Sequence, residues 1–123
     1  MKTFKQLLTL AAMLPVLASA QNPIISTVFT PDPAPFVYGD KVYLFTDHDE
    51  DGRNRDFNMK DWMVFSTEDM VNWTYHGEIN VGKIAPWIYN SWAPSICSRK
   101  EADGLTHFYL YFSNSGAGVG VLT

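Results

Sequence analysis

Residues 30–46 read TPDPAPFVYGDKVYLFT, and this stretch decides the fold. Two short runs rich in aromatic and β-branched residues, 35–38 and 41–46, flank the dipeptide Gly39-Asp40. The glycine can supply the positive φ that a two-residue hairpin turn needs. The sequence therefore predicts an antiparallel β-hairpin over residues 35–46.

Short runs with β-strand character continue along the chain on both sides of polar turns. They cover residues 62–67, 74–76, 93–98, 106–113 and 118–123. No segment shows the 3.6-residue periodicity of an amphipathic helix, so the predicted fold class is all-β.

Two parts of the sequence repeat each other. Ala34-Pro35 matches Ala93-Pro94, and residues 42–45 match residues 108–111, which gives a period of 59 to 66 residues. Self-similar units of three or four antiparallel strands are typical of β-propeller blades, although two hairpins can also be alike by chance. A propeller needs at least about four blades, so we expect this chain to be a truncated propeller that holds the first one to two blades.

The first twenty residues have the features of a secretory signal peptide. Lys2 and Lys5 precede an apolar run, and Ala18-Ser19-Ala20 supplies the small residues of a cleavage site. We therefore expect a signal peptide at 1–20 and a catalytic-domain segment at 21–123, in a protein that is secreted or periplasmic. The apolar run is too short to span a bilayer.

Charge and composition narrow the possible partners. All thirteen acidic residues but only seven of the nine basic ones lie beyond residue 20, which gives that part a formal charge of −6. Such a surface repels phosphate groups, so we expect neither nucleic acid nor membrane as a partner. Aromatic residues make up 15% of the chain. Of these, Trp62, Phe65 and Trp73 are predicted to pack within a blade, and the single Cys97 is predicted to be a buried small residue.

Four passages form a specific combination when they are taken together. They are residues 22–25, residues 30–38 with 42–50, residues 61–62 with 66–74, and residues 91–94. With these passages the sequence resembles glycoside hydrolase family 43. The resemblance implies a secreted five-bladed β-propeller that hydrolyses arabinose- or xylose-containing oligosaccharides and polysaccharides, in the manner of an α-L-arabinofuranosidase or a β-xylosidase.

In that family the aspartate that opens the first inner strand is the general base, and the matching position here is Asp32. Inverting hydrolysis needs one carboxylate to activate water and a protonated carboxyl on the other side of the sugar. Pro31 and Pro33 restrict the backbone of Asp32, which would help to fix its carboxylate. The alternative is that Asp32 only begins a turn. The acid and the aspartate that tunes it belong to later blades of the family, so we expect this chain alone to be inactive.

Three further residues are candidates for binding the sugar. Asp47 and His48 stand at the end of the second strand, where the resemblance places the pocket, and the alternative for both is a solvated loop. Trp92 precedes the Ala-Pro of the second blade and would offer a stacking face to the sugar. Packing in the core is the alternative for Trp92.

A metal site is not predicted in this chain. Asp47, Asp49, Asp51 and Gly52 match the opening of a calcium loop, but Asn58 stands where a bidentate glutamate is expected and no helices flank it. No organic cofactor is expected either. The resemblance allows a structural calcium in the complete propeller, with ligands from later blades.

Two other functions remain open at this point. A noncatalytic propeller could bind carbohydrate in the same pocket without hydrolysing it. A small autonomous β-domain with a structural role is the third possibility.

Overall fold

The computed structural model describes residues 23–50 and 57–123, which fold into two antiparallel sheets. The predicted signal peptide and part of the acidic loop, residues 51–56, lie outside the described residues. Between residues 57 and 123, and in the segment 23–50, no helix has the length and apolar character that a membrane crossing requires.

The first sheet is a four-stranded meander. Its strands, in spatial and sequence order, are β1 (Ala34–Tyr38), β2 (Lys41–Asp49), β3 (Met59–Thr67) and β4 (Thr74–Asn80). The predicted hairpin is present, with Tyr38 paired to Lys41 and Gly39 at a φ of 64°. This left-handed conformation is the reason that a glycine occupies the turn.

The second sheet repeats this arrangement with three strands. They are β5 (Trp92–Lys100), β6 (Thr106–Ser113) and β7 (Val119–Leu122), and a 3-10 turn at Ser115–Ala117 precedes β7. Both sheets consist of consecutive antiparallel strands, which confirms the predicted all-β class. The arrangement is the one expected of two neighbouring propeller blades.

The main apolar core lies between the two sheets. Trp62 of β3 meets Phe112 of β6 edge to face, with ring centroids 5.2 Å apart. The buried members of this core are Trp62, Val81, Ala85, Ile88, Leu110 and Phe112. Because neither sheet can cover its own inner face, this contact joins the blades into one unit.

The other face of the first sheet carries a smaller core. Leu44, Met63 and Phe65 are buried there, and Ile25, Val28 and Trp73 pack against them. The prediction of packing within a blade is confirmed for Phe65 and for the half-buried Trp73, whereas Trp62 packs in the core between the two blades. The segment before β1 therefore covers part of the first blade.

Strands β2, β3 and β4 are each three or four residues longer than the sequence predicted, and two further features differ from the prediction. A single helical turn, α1 (Val81–Ile84), follows β4 and begins at Asn80, whose Oδ1 accepts from Lys83 N at 3.1 Å. One turn is too short to produce a readable periodicity. Cys97 is exposed, so the prediction of a buried cysteine is wrong. Side chains alternate along β5, and it is Ile96 that faces the core.

Candidate active site

One end of the two sheets gathers every residue that the sequence singled out for the site. The antiparallel order brings the starts of β1 and β3 to the same end as the termini of β2 and β4, and the bond from Ala93 N to Asp47 Oδ2 places the start of β5 and the terminus of β6 beside them. We call this end the rim. Its polar and aromatic residues are Asp32, Asp47, His48, Asp61, Ser91, Trp92 and Asn114.

Asp32 stands immediately before β1 on a strained stretch of backbone. Its φ is 51°, which is rare for a residue with a side chain and more so before a proline. The segment before it runs beside the end of β2, since Asp47 N donates to Pro31 O at 3.1 Å and Asp49 N donates to Phe29 O at 3.3 Å. The Asp32 side chain is exposed. Strain held by neighbouring hydrogen bonds is common at functional positions.

Asp47 is completely buried beneath the rim. Its Oδ2 accepts from Ala93 N at 2.7 Å, which ties the first blade to the start of β5. Burial raises the pKa of Asp47 to about 7; the Ala93 N–H opposes this shift, and the nearby Asp32 carboxyl adds to it. Asp47 is therefore a buried carboxyl that gains or loses its proton near neutral pH.

His48 forms a hydrogen bond with a residue that the sequence did not single out. His48 Nδ1 lies 2.8 Å from Oδ1 of Asp61, a nearly buried carboxylate at the start of β3. The imidazole is partly exposed and lines a groove of about 330 Å³ together with Asp49 and the segment 23–29. Asp61 thus fixes the ring of His48 at the wall of this groove.

Trp92 begins β5, pairs with Ser113, and is half-buried. Its Nε1 is buried and has no hydrogen-bond partner among residues 23–50 and 57–123. Ala93, which follows, adopts a φ of 52°. Ala93, which contacts Asp47 of the first blade, therefore has the same left-handed backbone conformation as Asp32.

The loop that leads into Trp92 is fixed by polar contacts. Trp62 Nε1 donates to Ser91 O at 2.8 Å, and Ser91 N donates to Met59 O at 3.4 Å. From the second blade, Asn114 Oδ1 accepts from Tyr89 N at 2.7 Å and from Asn90 N at 3.2 Å. Both blades hold the loop, so the position of Trp92 depends on their packing.

Two carboxylates of the acidic run at the end of β2 accept hydrogen bonds from backbone N–H groups of the chain. Asp49 Oδ1 accepts from Asn58 N at 3.0 Å, and Asp47 binds Ala93, while Asp51 and Gly52 lie outside the described residues. In the parts of the chain that are described, no group of three or more His, Cys, Asp or Glu side chains could hold a metal ion.

The family profile described as Glycosyl hydrolases family 43 matches residues 20–123. The chain belongs to this family. The assignment confirms the resemblance inferred from the four sequence passages and the reading of the sheets as blades of that family's propeller.

Individual family 43 proteins are similar to this chain over most of its length. An arabinoxylan arabinofuranohydrolase of Paenibacillus polymyxa is 40% identical in an alignment of 119 positions, gaps included, which covers 83% of this chain and 19% of that protein. The crystal structure of a Bacillus subtilis arabinoxylan arabinofuranohydrolase in complex with cellotetraose has a TM-score of 0.72 and 37% identity, and the match covers 82% of this chain and 24% of that one.

A third similar protein, also a crystal structure of a family 43 enzyme, has two activities in its name. A β-xylosidase/α-arabinofuranosidase from a compost metagenome, crystallised with xylotriose in a calcium-free form, gives a TM-score of 0.59 at 25% identity. The match covers 85% of this chain and 37% of that one. The match with this chain covers between 19% and 31% of the length of the curated relatives.

Sequence reasoning missed three residues of this family 43 rim: Asp61, Ser91 and Asn114. Asp61 stands beside Trp62 in one of the family passages, and Ser91 begins another, so the passages contained them without showing what they contact. Asn114 follows a strand and precedes a glycine-rich turn, a position that usually indicates only a turn residue. Their partners are at least 13 residues away in sequence, so no local pattern identifies them.

Proposed function

We propose that the whole protein is a glycoside hydrolase that cleaves O-glycosidic bonds of arabinose- or xylose-containing plant polysaccharides with inversion of configuration. Family membership supports the class of reaction. The names of the similar proteins, an arabinofuranohydrolase and a β-xylosidase/α-arabinofuranosidase, support the two sugars. Cellotetraose and xylotriose in the similar crystal structures support a carbohydrate as the ligand.

The observation that carries the proposal is the placement of Asp32. Its carboxyl is exposed at the rim, on a left-handed backbone that Pro31 and its bond to Asp47 N hold in place. A carboxylate in this position can accept a proton from a water molecule that attacks the sugar. The partner acid would lie roughly 6.5–9.5 Å away in an inverting enzyme, and we assign that acid to a later blade.

His48 and Trp92 are proposed to contact the sugar. The His48 imidazole is partly exposed and Asp61 orients it, so it can hydrogen-bond a hydroxyl group. Trp92 offers an aromatic face at the start of the neighbouring blade. The sequence suggested direct sugar contact for Asp47 as well. Its complete burial favours an indirect role, which the next subsection develops.

The remaining parts of the proposal concern the setting of the enzyme. We propose that residues 1–20 are removed on export, so that the secreted or periplasmic protein begins at Gln21. Its acidic surface disfavours nucleic acid and membrane partners. The reaction uses water and no organic cofactor, and a structural calcium would take its ligands from later blades. Because we assign the general acid to a later blade, we propose that residues 21–123 alone are inactive.

The test is Asp32→Asn in a full-length protein that carries this sequence. The amide keeps the shape but cannot accept the proton from water, a contribution of about 10²–10⁴-fold in rate. Turnover of an aryl arabinofuranoside or xyloside should collapse while oligosaccharide binding survives. Added azide, which needs no deprotonation, should restore turnover and give a glycosyl azide of inverted configuration.

Four outcomes would reject parts of this proposal. Near-normal hydrolysis by Asp32→Asn, or a retained azide product, would show that Asp32 is not an inverting base. A wild-type protein that binds the sugar but hydrolyses none of the substrates would indicate a noncatalytic carbohydrate-binding propeller. A measured N-terminus other than Gln21 in the exported protein would reject the signal-peptide boundary.

A further inference from the structure

Asp47 occupies a junction between three parts of the chain. Its backbone N–H holds Pro31, the residue before Asp32, and its carboxylate holds Ala93 at the start of the second blade. On β3 its cross-strand partner is Trp62, whose indole binds the same loop that leads to Ala93. Asp47 thus links the segment that carries the proposed base, Asp32, to β3 and to β5.

Only one of the two carboxyl oxygens of Asp47 takes part in these contacts. Oδ2 accepts from Ala93 N, whereas Oδ1 is buried and receives no hydrogen bond from an N–H or hydroxyl donor among residues 23–50 and 57–123. Leaving a buried carboxylate oxygen unpaired costs free energy, so such an oxygen either carries a proton or meets a donor when the site is occupied.

The surroundings of the carboxyl indicate which of these two occurs. Burial raises the pKa of Asp47 most, and the carboxyl of Asp32 raises it further, both by its charge and by the hydrogen bond that the two carboxyls can share when one of them carries a proton. From the other elements, Ala93 N–H of β5 and the Trp62 indole of β3 face the carboxyl, and neither is a charged group. The neighbouring His48 is engaged with Asp61 instead.

We propose that Asp47 is a positioning residue for hydrolysis: Oδ2 anchors the start of β5, and a proton on Oδ1 forms a hydrogen bond to the carboxylate of Asp32. This hydrogen bond would orient Asp32 towards the attacking water without consuming the proton. The proposal rests on the assignment of Asp32 as the base. It predicts that loss of the Asp47 proton replaces a donor with a second negative charge beside the base, which disturbs Asp32.

Two substitutions in the full-length protein separate positioning from simple structural support. In Asp47→Asn, the amide oxygen can still accept from Ala93 N–H and the amide nitrogen can donate to Asp32. Asp47→Ala loses both contacts. We expect kcat to fall at least about tenfold in the alanine variant with little change in KM, and to stay within about threefold of wild type in the asparagine variant. Asp40→Asn, at the exposed hairpin turn at the other end of the sheet, is the matched control and should change nothing.

The pH profile supplies a readout that a purely structural role would not move. Wild-type kcat/KM should decline on the alkaline side with an apparent pKa near 7 that belongs to the Asp32–Asp47 pair. Because Asp47→Asn cannot ionise, its alkaline limb should move to higher pH. Equal losses in the two variants, or an unchanged alkaline limb in Asp47→Asn, would overturn the proposal.

A measurement without turnover keeps this inference separate from the assignment of the base. Hydrogen exchange at the Ala93 amide should be slow in wild type and in Asp47→Asn, and fast in Asp47→Ala. If Asp32→Asn remains active, the base assignment fails, and the rescue of Ala93 protection by asparagine still tests the anchor. If Asp32→Asn is inactive while both Asp47 variants behave as wild type, the positioning role alone is rejected.

Discussion

Trp62 donates from its indole Nε1 to the carbonyl oxygen of Ser91 over 2.8 Å, so a residue at the centre of the first blade fixes the loop that enters the second. The indole is completely buried and its ring also packs on Phe112. The Trp62 side chain therefore contributes both an aromatic contact and a hydrogen bond to the junction between the blades.

Trp62→Phe should destabilise the protein. Phenylalanine keeps an aromatic ring but leaves the buried carbonyl of Ser91 without its donor, at a cost of about 1–3 kcal/mol, in addition to the lost ring volume. Trp73→Phe is the matched control, because Trp73 Nε1 is buried without a hydrogen-bond partner in the described part of the chain. Urea denaturation of the full-length variants measures both effects. An equal loss at the two positions would contradict a stabilising role for the Trp62 hydrogen bond.

Gly120→Ala should also destabilise the protein, for a steric reason. A Cβ atom at Gly120 would lie 2.2 Å from Cζ of Phe112, a buried ring in the core between the sheets. The ring would have to leave its position, and overpacking of this kind costs about 1–3 kcal/mol. Gly116→Ala, where a Cβ meets no atom within 4 Å, serves as the control. A thermal melt with unchanged midpoint for Gly120→Ala would show that Phe112 can move freely.

Asp47 should make stability depend on pH between about 4 and 7. Its pKa rises from 3.8 to about 7 in the folded protein, so the folded state binds this proton more tightly than the unfolded state does. The contribution of Asp47 to stability is therefore fully present below pH 3.8 and declines as the pH rises towards 7. Denaturation of wild type and Asp47→Asn at several pH values in this range should show the difference between them changing steadily. A constant difference would indicate that Asp47 has an ordinary pKa in the folded state.

Asp61→Ala should impair substrate binding more than it impairs stability. The substitution removes the acceptor that lies 2.8 Å from His48 Nδ1, and the imidazole then loses its fixed orientation at the groove. We expect KM to rise severalfold, with a smaller change in kcat, in assays with an arabinoxylan oligosaccharide. Asp103→Ala removes the partner of the exposed His107 and is the control, since that pair lies at the end of the second sheet opposite the rim. No change in KM for Asp61→Ala would remove His48 from the proposed binding site.

Residues 21–123 expressed alone should bind a hydrophobic dye or aggregate. Large apolar side chains are exposed on the described blades, among them Val37 at 69% and Val119 at 75%. We expect neighbouring blades to cover such faces in the complete propeller. Dye fluorescence and light scattering measure this exposure. A monomer with sharp, reversible two-state melting would instead indicate an autonomous domain.

The sequence predicted the strands well because their signals are local. The hairpin of residues 35–46 could be read from the alternation of residues and from Gly39, and all later strands began close to their predicted positions. The single turn of α1 and the exposure of Cys97 could not be read in this way. The first is too short to have a period, and the second depends on which face of β5 meets the other sheet.

The candidate site was only partly predictable. Asp32, Asp47, His48 and Trp92 were identified by their places in the family passages, and the structure brings all four to the rim. Three contacts could not be read from the sequence, because each joins residues that are distant in it. They are the bond between buried Asp47 and Ala93, the contact of His48 with Asp61, and the hydrogen bond from Trp62 to the Ser91 carbonyl. Such contacts follow from the packing of the blades, which no short stretch of sequence specifies.

The contact between Asp47 and Ala93 has a consequence for the order in which the protein folds. The two residues are 46 positions apart, whereas each hairpin closes over a few residues. Local hairpins form quickly, and contacts between distant residues form later because a longer loop must close. During synthesis the surroundings of Asp32 therefore stay incomplete until the start of β5 has left the ribosome, and a slow step there would delay activity without delaying the first sheet.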